Sequence, residues 1–425
     1  MPSYHVWTIG CQMNRAESER LSSCFEELGY RAAATATGAD LVVLNSCVVR
    51  QSAENRITNK LHNLRQLKKD RPDLVIAVTG CLVDAEVDRL KKSFPYVDYF
   101  FKPGDYPPWV ENDITTPPLP RYTSPSAYVP IIQGCDNFCT YCIVPYRRGR
   151  ERSRPMPDII CEARELVRLG IKAVTLLGQN VDSYGHDLPD KPELADLLIG
   201  LNRLSGLARI RFLTNHPKDM SPRLIKTIAK LDKVCEQISL PVQSGNNEIL
   251  EAMRRGYTEE QYRQLVAEIR SQIPGVALST DVIVGFPSES ASQFQQTLDL
   301  LAEIKFDTVH VAAYSPRAGT TATRDFTDNV PLPEKKARLG KVERLQEKIA
   351  AETNARLLGE TQEILVESRT KGKWYGRTRT DKLVFFHNGN DCLGQLVNIR
   401  IEKTSPWALQ GKIIANTSGK EGTKC

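Results

Sequence analysis

The chain has 425 residues, of which 41% are hydrophobic and 25% charged, and its formal net charge is +6. That length predicts two or three domains with sizeable cores, and the composition is ordinary for a soluble globular protein. No apolar run approaches the roughly 18 residues of a membrane span, and the amino terminus lacks the layout of a signal peptide, so we expect a cytoplasmic protein without membrane contact.

The first hundred residues alternate between short apolar strands and helix-length stretches. Strands are predicted over residues 5–9, 40–45 and 74–79, and helices over residues 15–28 and 53–69. Strands separated by helix-length crossovers indicate an open parallel sheet.

We assign this α/β domain to residues 1–104. Proline is frequent and periodicity is poor over residues 103–125, which predicts a linker over residues 105–125. The alternation then resumes, and six consecutive β/α units over about 190 residues favour a partial (β/α)6 barrel, in a domain spanning residues 126–357. Its six strands are predicted over residues 128–133, 173–177, 209–213, 236–240, 277–284 and 307–312.

The carboxyl-terminal tail has a different pattern. A long charged helix is predicted over residues 332–358, and short strands separated by turn residues follow it. This pattern suits a small all-β barrel over residues 358–420. The predicted fold class is therefore α/β, with an open parallel sheet, a partial barrel and a small β-barrel in chain order.

The cysteines carry the clearest chemical signal. Eleven cysteines in a cytosolic chain argue against a disulfide framework, because that compartment keeps thiols reduced. The motif GCDNFCTYC places Cys135, Cys139 and Cys142 directly after a strand. Thiolates select zinc or iron–sulfur clusters, and no fourth Cys or His lies at zinc-finger spacing, so we favour a cluster with one open iron over structural zinc.

A second set of cysteines is spread along the first domain. Cys11, Cys47 and Cys81 each lie just past the carboxyl end of a separate predicted strand. These ends converge on one crevice in an open parallel sheet, where three thiolates could hold another cluster. The alternative is that they are small buried hydrophobic residues, the usual fate of a free cysteine. Their shared position on three strands favours ligation.

On these motifs the chain resembles the radical S-adenosylmethionine (SAM) methylthiotransferases. GCQMN at residues 10–14, NSCVVRQSAENR at 45–56 and GC at 80–81 are similar to the three amino-terminal cluster segments of that family. GCDNFCTYCIVPYRRGRERSR resembles its SAM-cluster loop, and the tail resembles a TRAM domain, a small RNA-binding β-barrel. Within that family, the residues of these motifs are most similar to those of the tRNA-2-methylthio-N6-dimethylallyladenosine synthase branch.

The resemblance implies two 4Fe–4S clusters, with SAM as both radical source and methyl donor. It implies methylthiolation at C2 of N6-isopentenyl(dimethylallyl)adenosine next to the anticodon of tRNA, with no catalytic residue beyond the clusters. The alternatives are the same chemistry on threonylcarbamoyladenosine or on a ribosomal-protein aspartate, and a non-catalytic iron–sulfur RNA-binding protein. The expected partners are a tRNA anticodon stem-loop and an electron donor such as flavodoxin or ferredoxin, and we expect a monomer.

Further SAM contacts are expected beside the cluster and at the ends of the later strands, which face one mouth in a β/α barrel. Ordinary turn chemistry is the alternative explanation for glycine and serine at these places. The predicted SAM-binding residues are Tyr141, Gly178, Gln179, Gln243, Ser244, Asp281 and Gly285.

Two basic stretches, YRRGRERSR and KGKWYGRTR, predict RNA binding. Guanidinium groups can fork onto phosphates and aromatic rings can stack on splayed bases, although a solvated basic face is the alternative. The predicted RNA-binding residues are Arg147, Arg148, Arg150, Lys373, Trp374, Tyr375 and Arg377.

Overall fold

A computed structural model describes most of the chain. Residues 48–50, which lie in the second cysteine motif, and residues 415–420 of the predicted tail domain are outside the described residues. The described residues are 1–47, 51–83, 87–113, 118–120 and 122–414.

The amino-terminal part is a five-stranded, fully parallel sheet, which confirms the predicted α/β layout. Its strands are β1 (Ser3–Thr8), β2 (Arg31–Ala32), β3 (Leu41–Ser46), β4 (Val75–Gly80) and β5 (Tyr99–Phe100). The helices are α1 (Gln12–Glu27), α2 (Gln51–Asp70), α3 (Val87–Ser93) and α4 (Pro108–Asp113). The strand order is β2-β1-β3-β4-β5.

Helices cover both faces of this sheet, which explains why β3 and β4 are apolar along most of their length. Leu41 and Val43 pack with the α1 side chains, whereas Val42 and Leu44 pack with those of α2. The strands β2 and β5 contain two residues each, which is too short for a periodic hydrophobic pattern, so the sequence does not predict them. Helix α4 lies inside the predicted linker, where Pro108 occupies the first turn that tolerates a proline.

The central part forms an open half-barrel of parallel strands. Its strands, with the short hairpin β7/β8, are β6 (Ser126–Pro130), β7 (Ile132–Gln133), β8 (Arg152–Ser153), β9 (Ala173–Leu177), β10 (Arg209–Phe212), β11 (Gln237–Ser239), β12 (Ala277–Val284) and β13 (Thr308–Ala313). A parallel bridge between Ile210 and Val234 joins the β6-β9-β10 and β11-β12-β13 sheets. Within the described residues β6 and β13 do not pair, so the barrel is partial, as predicted.

Helices follow the half-barrel strands in turn. They are α5 (Val144–Arg148), α6 (Met156–Arg168), α7 (Leu194–Asn202), α8 (Pro222–Lys230), α9 (Asn247–Ala252), α10 (Glu259–Gln272), α11 (Ala291–Ile304), α12 (Thr321–Asp325) and α13 (Leu332–Ala355). Short 3₁₀ turns occupy Ala36–Gly38 and Val181–Ser183. Among the described helices, none has both the length and the apolar character needed to cross a bilayer.

The tail folds into a closed five-stranded β-barrel, as predicted. Its strands are β14 (Thr361–Thr370), β15 (Lys373–Thr378), β16 (Leu383–Phe386), β17 (Leu396–Thr404) and β18 (Leu409–Ile413). Their order, β14-β15-β16-β18-β17, leaves no edge strand unpaired. Ile364, Trp374 and Phe386 form part of its apolar core.

Three arginines attach the β-barrel to the amino-terminal strand ends of the half-barrel, and we call Arg209, Arg211 and Arg379 the docking clasp. Arg209 donates to the carbonyl oxygens of Arg377 and Glu363 at 2.5 and 3.1 Å. Arg211 donates to the carbonyl oxygens of Arg379 and Thr378. Arg379 in turn donates to the carboxylate of Glu236 at 2.6 and 2.8 Å. Charge-assisted bonds of this kind are stronger than neutral ones, so the clasp holds the two units together.

Candidate functional site

The first cysteine set lies on a loop closed at its base by the antiparallel pair β7 and β8. Gly134 begins the loop with φ +85°, and a Cβ there would stand 2.1 Å from the carbonyl oxygen of Arg150. Only glycine fits this turn, which immediately precedes Cys135. Gln179 fixes the turn because its Oε1 accepts the Gly134 N–H at 2.6 Å.

The three thiols of this loop lie close enough together to affect one another. Burial raises the pKa of Cys135 to about 11 and that of Cys142 to about 12, and the Cys139 thiol contributes to both increases. Arg255, from the turn after α9, donates to the sulfur of Cys139 at 3.2 Å and to the hydroxyl of Tyr141 at 3.3 Å. The loop thus presents three neighbouring sulfurs, one of them held by a buried guanidinium.

The second set meets at the carboxyl edge of the amino-terminal sheet, where the sequence placed it. Cys11, Cys47 and Cys81 lie just beyond β1, β3 and β4, respectively. Gly80 has φ +86°, and a Cβ at this position would lie 2.3 Å from the carbonyl oxygen of Ser46. The chain therefore turns tightly at the end of β4, and the sheet brings Cys81 beside Cys47.

Electrostatic effects also place these thiols together. Burial raises the pKa of Cys81 to about 11; Arg148 lowers it and the Cys47 thiol raises it further. Arg148 donates its Nε–H to the sulfur of Cys81 at 3.3 Å. A Cβ at Gly10 would lie 2.9 Å from the Cβ of Cys47, so the segment carrying Cys11 packs directly on Cys47.

The two cysteine sets face each other. Ile143, the residue after Cys142, packs against Cys81. Arg148 belongs to α5, which directly follows the first cysteine loop, yet it contacts Cys81 of the second set. The mouth of the half-barrel and the edge of the sheet therefore form one site.

The donor chemistry suits clusters better than single ions. Among the described residues, no three His, Cys, Asp or Glu side chains are placed to hold one metal ion. A four-iron cluster takes one thiolate at each iron, so its ligands stand apart, whereas structural zinc needs four converging ligands. Each set supplies three thiols, which fits a cluster with one iron left open.

A cavity of about 460 Å³ opens beside the first set. Its walls include the predicted residues Tyr141, Gln243 and Asp281, with Cys142 beside them and apolar side chains from β12 and β13. The Oε1 atom of Gln243 is buried and has no hydrogen-bond partner among the residues that the structure describes. A buried acceptor of this kind calls for a ligand, because polar atoms inside proteins are rarely left unsatisfied.

The other predicted SAM-binding residues are not part of the described lining of this cavity. Gln179 holds the cysteine loop as described above, and the carbonyl oxygen of Gly178 accepts the Thr214 hydroxyl. Ser244 is buried and its hydroxyl lies 3.4 Å from that of Thr297. The Gly285 N–H donates to Glu289. Their contact with SAM stays a prediction.

The basic residues after the first cysteine loop have different environments. Arg148 is buried and forms an ion pair with Glu17 at 2.6 Å. Arg147 is half-buried, and burial lowers its pKa while Glu54 opposes that shift. Arg150 is exposed and pairs with Asp136 at 2.6 Å. Of the three, Arg150 presents a side chain to the surface.

The predicted RNA-binding residues of the tail lie mostly within its barrel wall. Trp374 is 7% exposed and donates its indole N–H to the carbonyl oxygen of Asn388. Tyr375 packs against Phe385, and Lys373 is half-buried. Arg377 forms ion pairs with Asp381 at 3.3 Å and with Glu367 at 3.8 Å.

Sequence reasoning missed an exposed aromatic residue, Trp407, in the turn between β17 and β18. It is 62% exposed and lines a cleft of about 530 Å³. Asp281 and His310 line both this cleft and the cavity beside the first cysteine set. The two spaces are therefore neighbours, and the cleft is also lined by Leu383 and Leu409 of the β-barrel. A single Trp in a short SPWA turn carries no periodic signal.

Arg255 and Arg317 were also missed. Arg255 holds Cys139, and Arg317 lies on the cavity wall, forming an ion pair with Glu54 at 3.1 Å. Burial lowers the pKa of Arg317, while Glu54 and Cys47 oppose that shift, which places the guanidinium near the second set. Isolated arginines far from the cysteine motifs do not reveal such contacts in sequence.

Family comparisons agree with this architecture. Residues 129–301 match the Radical SAM superfamily, residues 355–414 match the TRAM domain, and residues 3–102 match a family described as "Uncharacterized protein family UPF0004". The chain is 56% identical to a tRNA-2-methylthio-N(6)-dimethylallyladenosine synthase of Dehalococcoides mccartyi strain 195, covering 97% of this chain and 99% of the relative. A protein of the same name from Chloroflexus aurantiacus is 47% identical, with 96% and 91% covered.

Solved structures support the fold at low sequence identity. The cobalamin-dependent radical enzyme OxsB, in a selenomethionine-labelled apo form, aligns with a TM-score of 0.53 over 81% of this chain and 56% of its own, at 13% identity. The radical SAM methyltransferase TsrM from Kitasatospora setae aligns with a TM-score of 0.53 over 73% and 75% of the two chains, also at 13% identity.

Proposed function

Because the chain belongs to the family of the tRNA-2-methylthio-N(6)-dimethylallyladenosine synthases, we propose that it adds a methylthio group to C2 of N6-dimethylallyladenosine next to the anticodon of tRNA. The match to the Radical SAM superfamily implies that the protein binds SAM and one 4Fe–4S cluster. Cys135, Cys139 and Cys142 would hold that cluster. One observation carries the proposal further: the second set of three cysteines directly faces the first.

A second 4Fe–4S cluster on Cys11, Cys47 and Cys81 is part of this proposal. The convergence of three thiols at one sheet edge supports it, as does the contact of Cys81 with Ile143. When bound, the two clusters supply the radical chemistry that an unactivated aromatic C–H bond requires and the sulfur that replaces its hydrogen.

The residues of the chain position these groups and exclude water. Arg255 and Arg148 each hold one sulfur of a set. Apolar side chains of β12 and β13 line the 460 Å³ cavity and would exclude water from a ligand bound there. Tyr141, Gln243 and Asp281 supply polar groups that would orient SAM in that cavity.

tRNA recognition is proposed to involve the open side of the half-barrel and the β-barrel. The cleft lined by Trp407 shares Asp281 and His310 with the cavity beside the first cysteine set, so a base stacked on Trp407 would lie on the same side of the half-barrel as that cavity. Single-stranded RNA loops are read by such stacking on aromatic side chains. Arg150, whose side chain is exposed beside the first cysteine loop, would contact phosphates. RNA contacts by Arg147, Arg148, Lys373, Trp374, Tyr375 and Arg377 stay predictions.

The remaining features of the proposal concern partners and organisation. A flavodoxin or ferredoxin would supply electrons, the protein would act as a monomer, and a tRNA substrate places it in the cytoplasm. The proposed domains are residues 1–104, 126–357 and 358–420, with a linker over residues 105–125 between the first two.

Iron and sulfide counts after anaerobic reconstitution test the cofactor part. We expect about eight irons in the wild type and about four in either triple alanine variant, one lacking Cys135, Cys139 and Cys142 and the other lacking Cys11, Cys47 and Cys81. About four irons in the wild type, and none in the variant that lacks the first set, would show that the second cluster does not exist. The proposed methylthio transfer would then be wrong as well.

Nucleoside analysis tests the substrate part. A strain lacking the gene is complemented with the wild type or with either triple variant, and its tRNA nucleosides are identified by mass spectrometry. We expect 2-methylthio-N6-dimethylallyladenosine with the wild type alone. Restoration of a methylthiolated threonylcarbamoyladenosine, or of a modified ribosomal-protein aspartate, would assign the chemistry to a different substrate. SAM binding without SAM cleavage would indicate a non-catalytic iron–sulfur protein.

A further inference from the structure

Each cysteine set has one buried arginine that donates to a sulfur. Arg148 Nε lies 3.3 Å from the sulfur of Cys81, and Arg255 Nη1 lies 3.2 Å from that of Cys139. The two arginines are 5% and 4% exposed. A buried guanidinium is costly unless it is paired, so each of these contacts has a structural purpose.

Arg148 has a second partner on the other side of its guanidinium. Its Nη1 and Nη2 donate to the two carboxylate oxygens of Glu17 at 2.6 and 3.3 Å. The planar fork of arginine suits such a bidentate pair and leaves Nε–H free to point elsewhere, here at Cys81. A lysine could not make both contacts in this geometry.

The location of Arg148 ties the two cysteine sets together. It lies at the end of α5, six residues beyond Cys142, and reaches across to the sheet. Glu17 lies on α1, the helix that begins directly after Cys11. One side chain from the first cysteine loop therefore orients a sulfur of the second set, using an acid from the helix next to Cys11.

We propose that Arg148 is a positioning residue that orients the Cys81 sulfur and raises the reduction potential of a cluster held by Cys11, Cys47 and Cys81. The inference rests on the proposed function, since it concerns the second cluster. Hydrogen bonds to ligand sulfurs and nearby positive charge stabilise the reduced cluster, which carries one more negative charge than the oxidised form. The added electron comes from the flavodoxin or ferredoxin proposed above, and no bond is made or broken.

The alternative is that Arg148 merely neutralises Glu17 inside the interface. Changing Arg148 alone would leave Glu17 with a half-buried, uncompensated charge and could unfold the site. Both residues are therefore changed in the double variant Arg148→Met/Glu17→Gln, and Glu17→Gln alone serves as its reference. Arg148→Lys is a second test, because it keeps the charge but loses the fork.

The measurement uses full-length protein that lacks the first cysteine set (Cys135, Cys139 and Cys142 changed to Ala), so that the second cluster is observed alone. Iron is counted, and the potential is measured by dithionite titration followed by electron paramagnetic resonance. Relative to Glu17→Gln, we expect the double variant to favour the oxidised state at least tenfold more, which is about 59 mV for one electron. Arg148→Lys should shift in the same direction.

Arg150→Gln is the matched control. Arg150 lies two residues further along the chain and makes a similar two-pronged ion pair with Asp136, but it is exposed, and among the described residues no sulfur accepts a hydrogen bond from it. It should leave the potential unchanged.

The outcomes separate this inference from the proposed function. Absence of iron in the parent protein would defeat the second cluster itself. About four irons with equal potentials in the double variant and Glu17→Gln would overturn the role of Arg148 and leave the cluster in place. If the double variant instead loses iron, its melting temperature decides between the two roles. An unchanged melting temperature supports the proposal that Arg148 orients Cys81. A lowered melting temperature shows that Arg148 only stabilises the interface.

Discussion

Removing Arg209 from the docking clasp should loosen the β-barrel selectively. The Arg209 side chain is 2% exposed, and Arg209→Met keeps its apolar length while removing every hydrogen bond it makes. Two carbonyl oxygens, those of Glu363 and Arg377, lose a buried donor, and the Glu363 carboxylate loses its ion pair.

The magnitude follows from these contacts. An unsatisfied buried acceptor costs about 1–3 kcal/mol, and a bond to a charged group contributes about 1.5–3 kcal/mol. Because the Glu363 side chain is 46% exposed and regains water, we expect about 3 kcal/mol in total for the loss of docking. About 1.4 kcal/mol corresponds to a tenfold change in an equilibrium constant. Amides that exchange hydrogen only when the β-barrel separates from the half-barrel should therefore exchange roughly a hundredfold faster in the variant.

Hydrogen–deuterium exchange with mass spectrometry measures this for peptides of β14 and β15, and calorimetry reports whether the β-barrel melts separately. Arg223→Met is the control, because Arg223 also bridges two acids, Glu193 and Asp196, but on the surface with its side chain 50% exposed. It should cost less than about 1 kcal/mol. Equal exchange in the two variants would refute the idea that the clasp holds the barrel.

Three further predictions concern the loop, the β-barrel and pH. Gly134→Ala should lower the iron content by about half, because the added Cβ would collide with a carbonyl oxygen. Gly149→Ala is the control and should retain the cluster, because Gly149 has nearly the same φ but has open space where its Cβ would lie. Trp407→Ala should weaken tRNA binding by about 1–3 kcal/mol in a filter assay at fixed salt and leave the melting temperature unchanged. Trp374→Ala should instead destabilise the β-barrel by about 3–5 kcal/mol. Burial raises the pKa of Asp182 to about 7. Between about pH 4 and pH 7 the folded protein therefore keeps a proton on this carboxyl group that the unfolded chain has released, so the free energy of unfolding falls as the pH rises through this range. Asp182→Asn should reduce the difference in melting temperature between pH 5 and pH 8, and an unchanged difference would contradict the assigned cause.

The sequence predicts the scaffold of the site well because strands and cysteines leave local signals. Predicted strands over residues 173–177 and 277–284 coincide with β9 and β12. Cys47 and Cys81 follow β3 and β4 directly, so the parallel sheet brings them together without further information.

The environments of the basic residues could not be predicted in this way. Arg148 and Arg150 belong to the same charge run. Arg148 nevertheless pairs with a half-buried acid 131 residues away, whereas Arg150 pairs with an exposed acid 14 residues away. Trp374 is flanked by basic residues, as an RNA-stacking residue would be, but the alternation of its strand turns the indole into the barrel core. Such outcomes depend on tertiary contacts that local pattern does not contain.

The contact between Arg148 and Cys81 has a consequence for biosynthesis. The two residues are 67 positions apart in the chain. At about 5–20 residues per second, a ribosome makes Cys81 roughly 3–13 s before Arg148. During that interval Cys11, Cys47 and Cys81 are presented by a nascent sheet that lacks its guanidinium partner. A cluster held by Cys11, Cys47 and Cys81, as proposed above, would therefore gain its contact with Arg148 only after translation has passed α5.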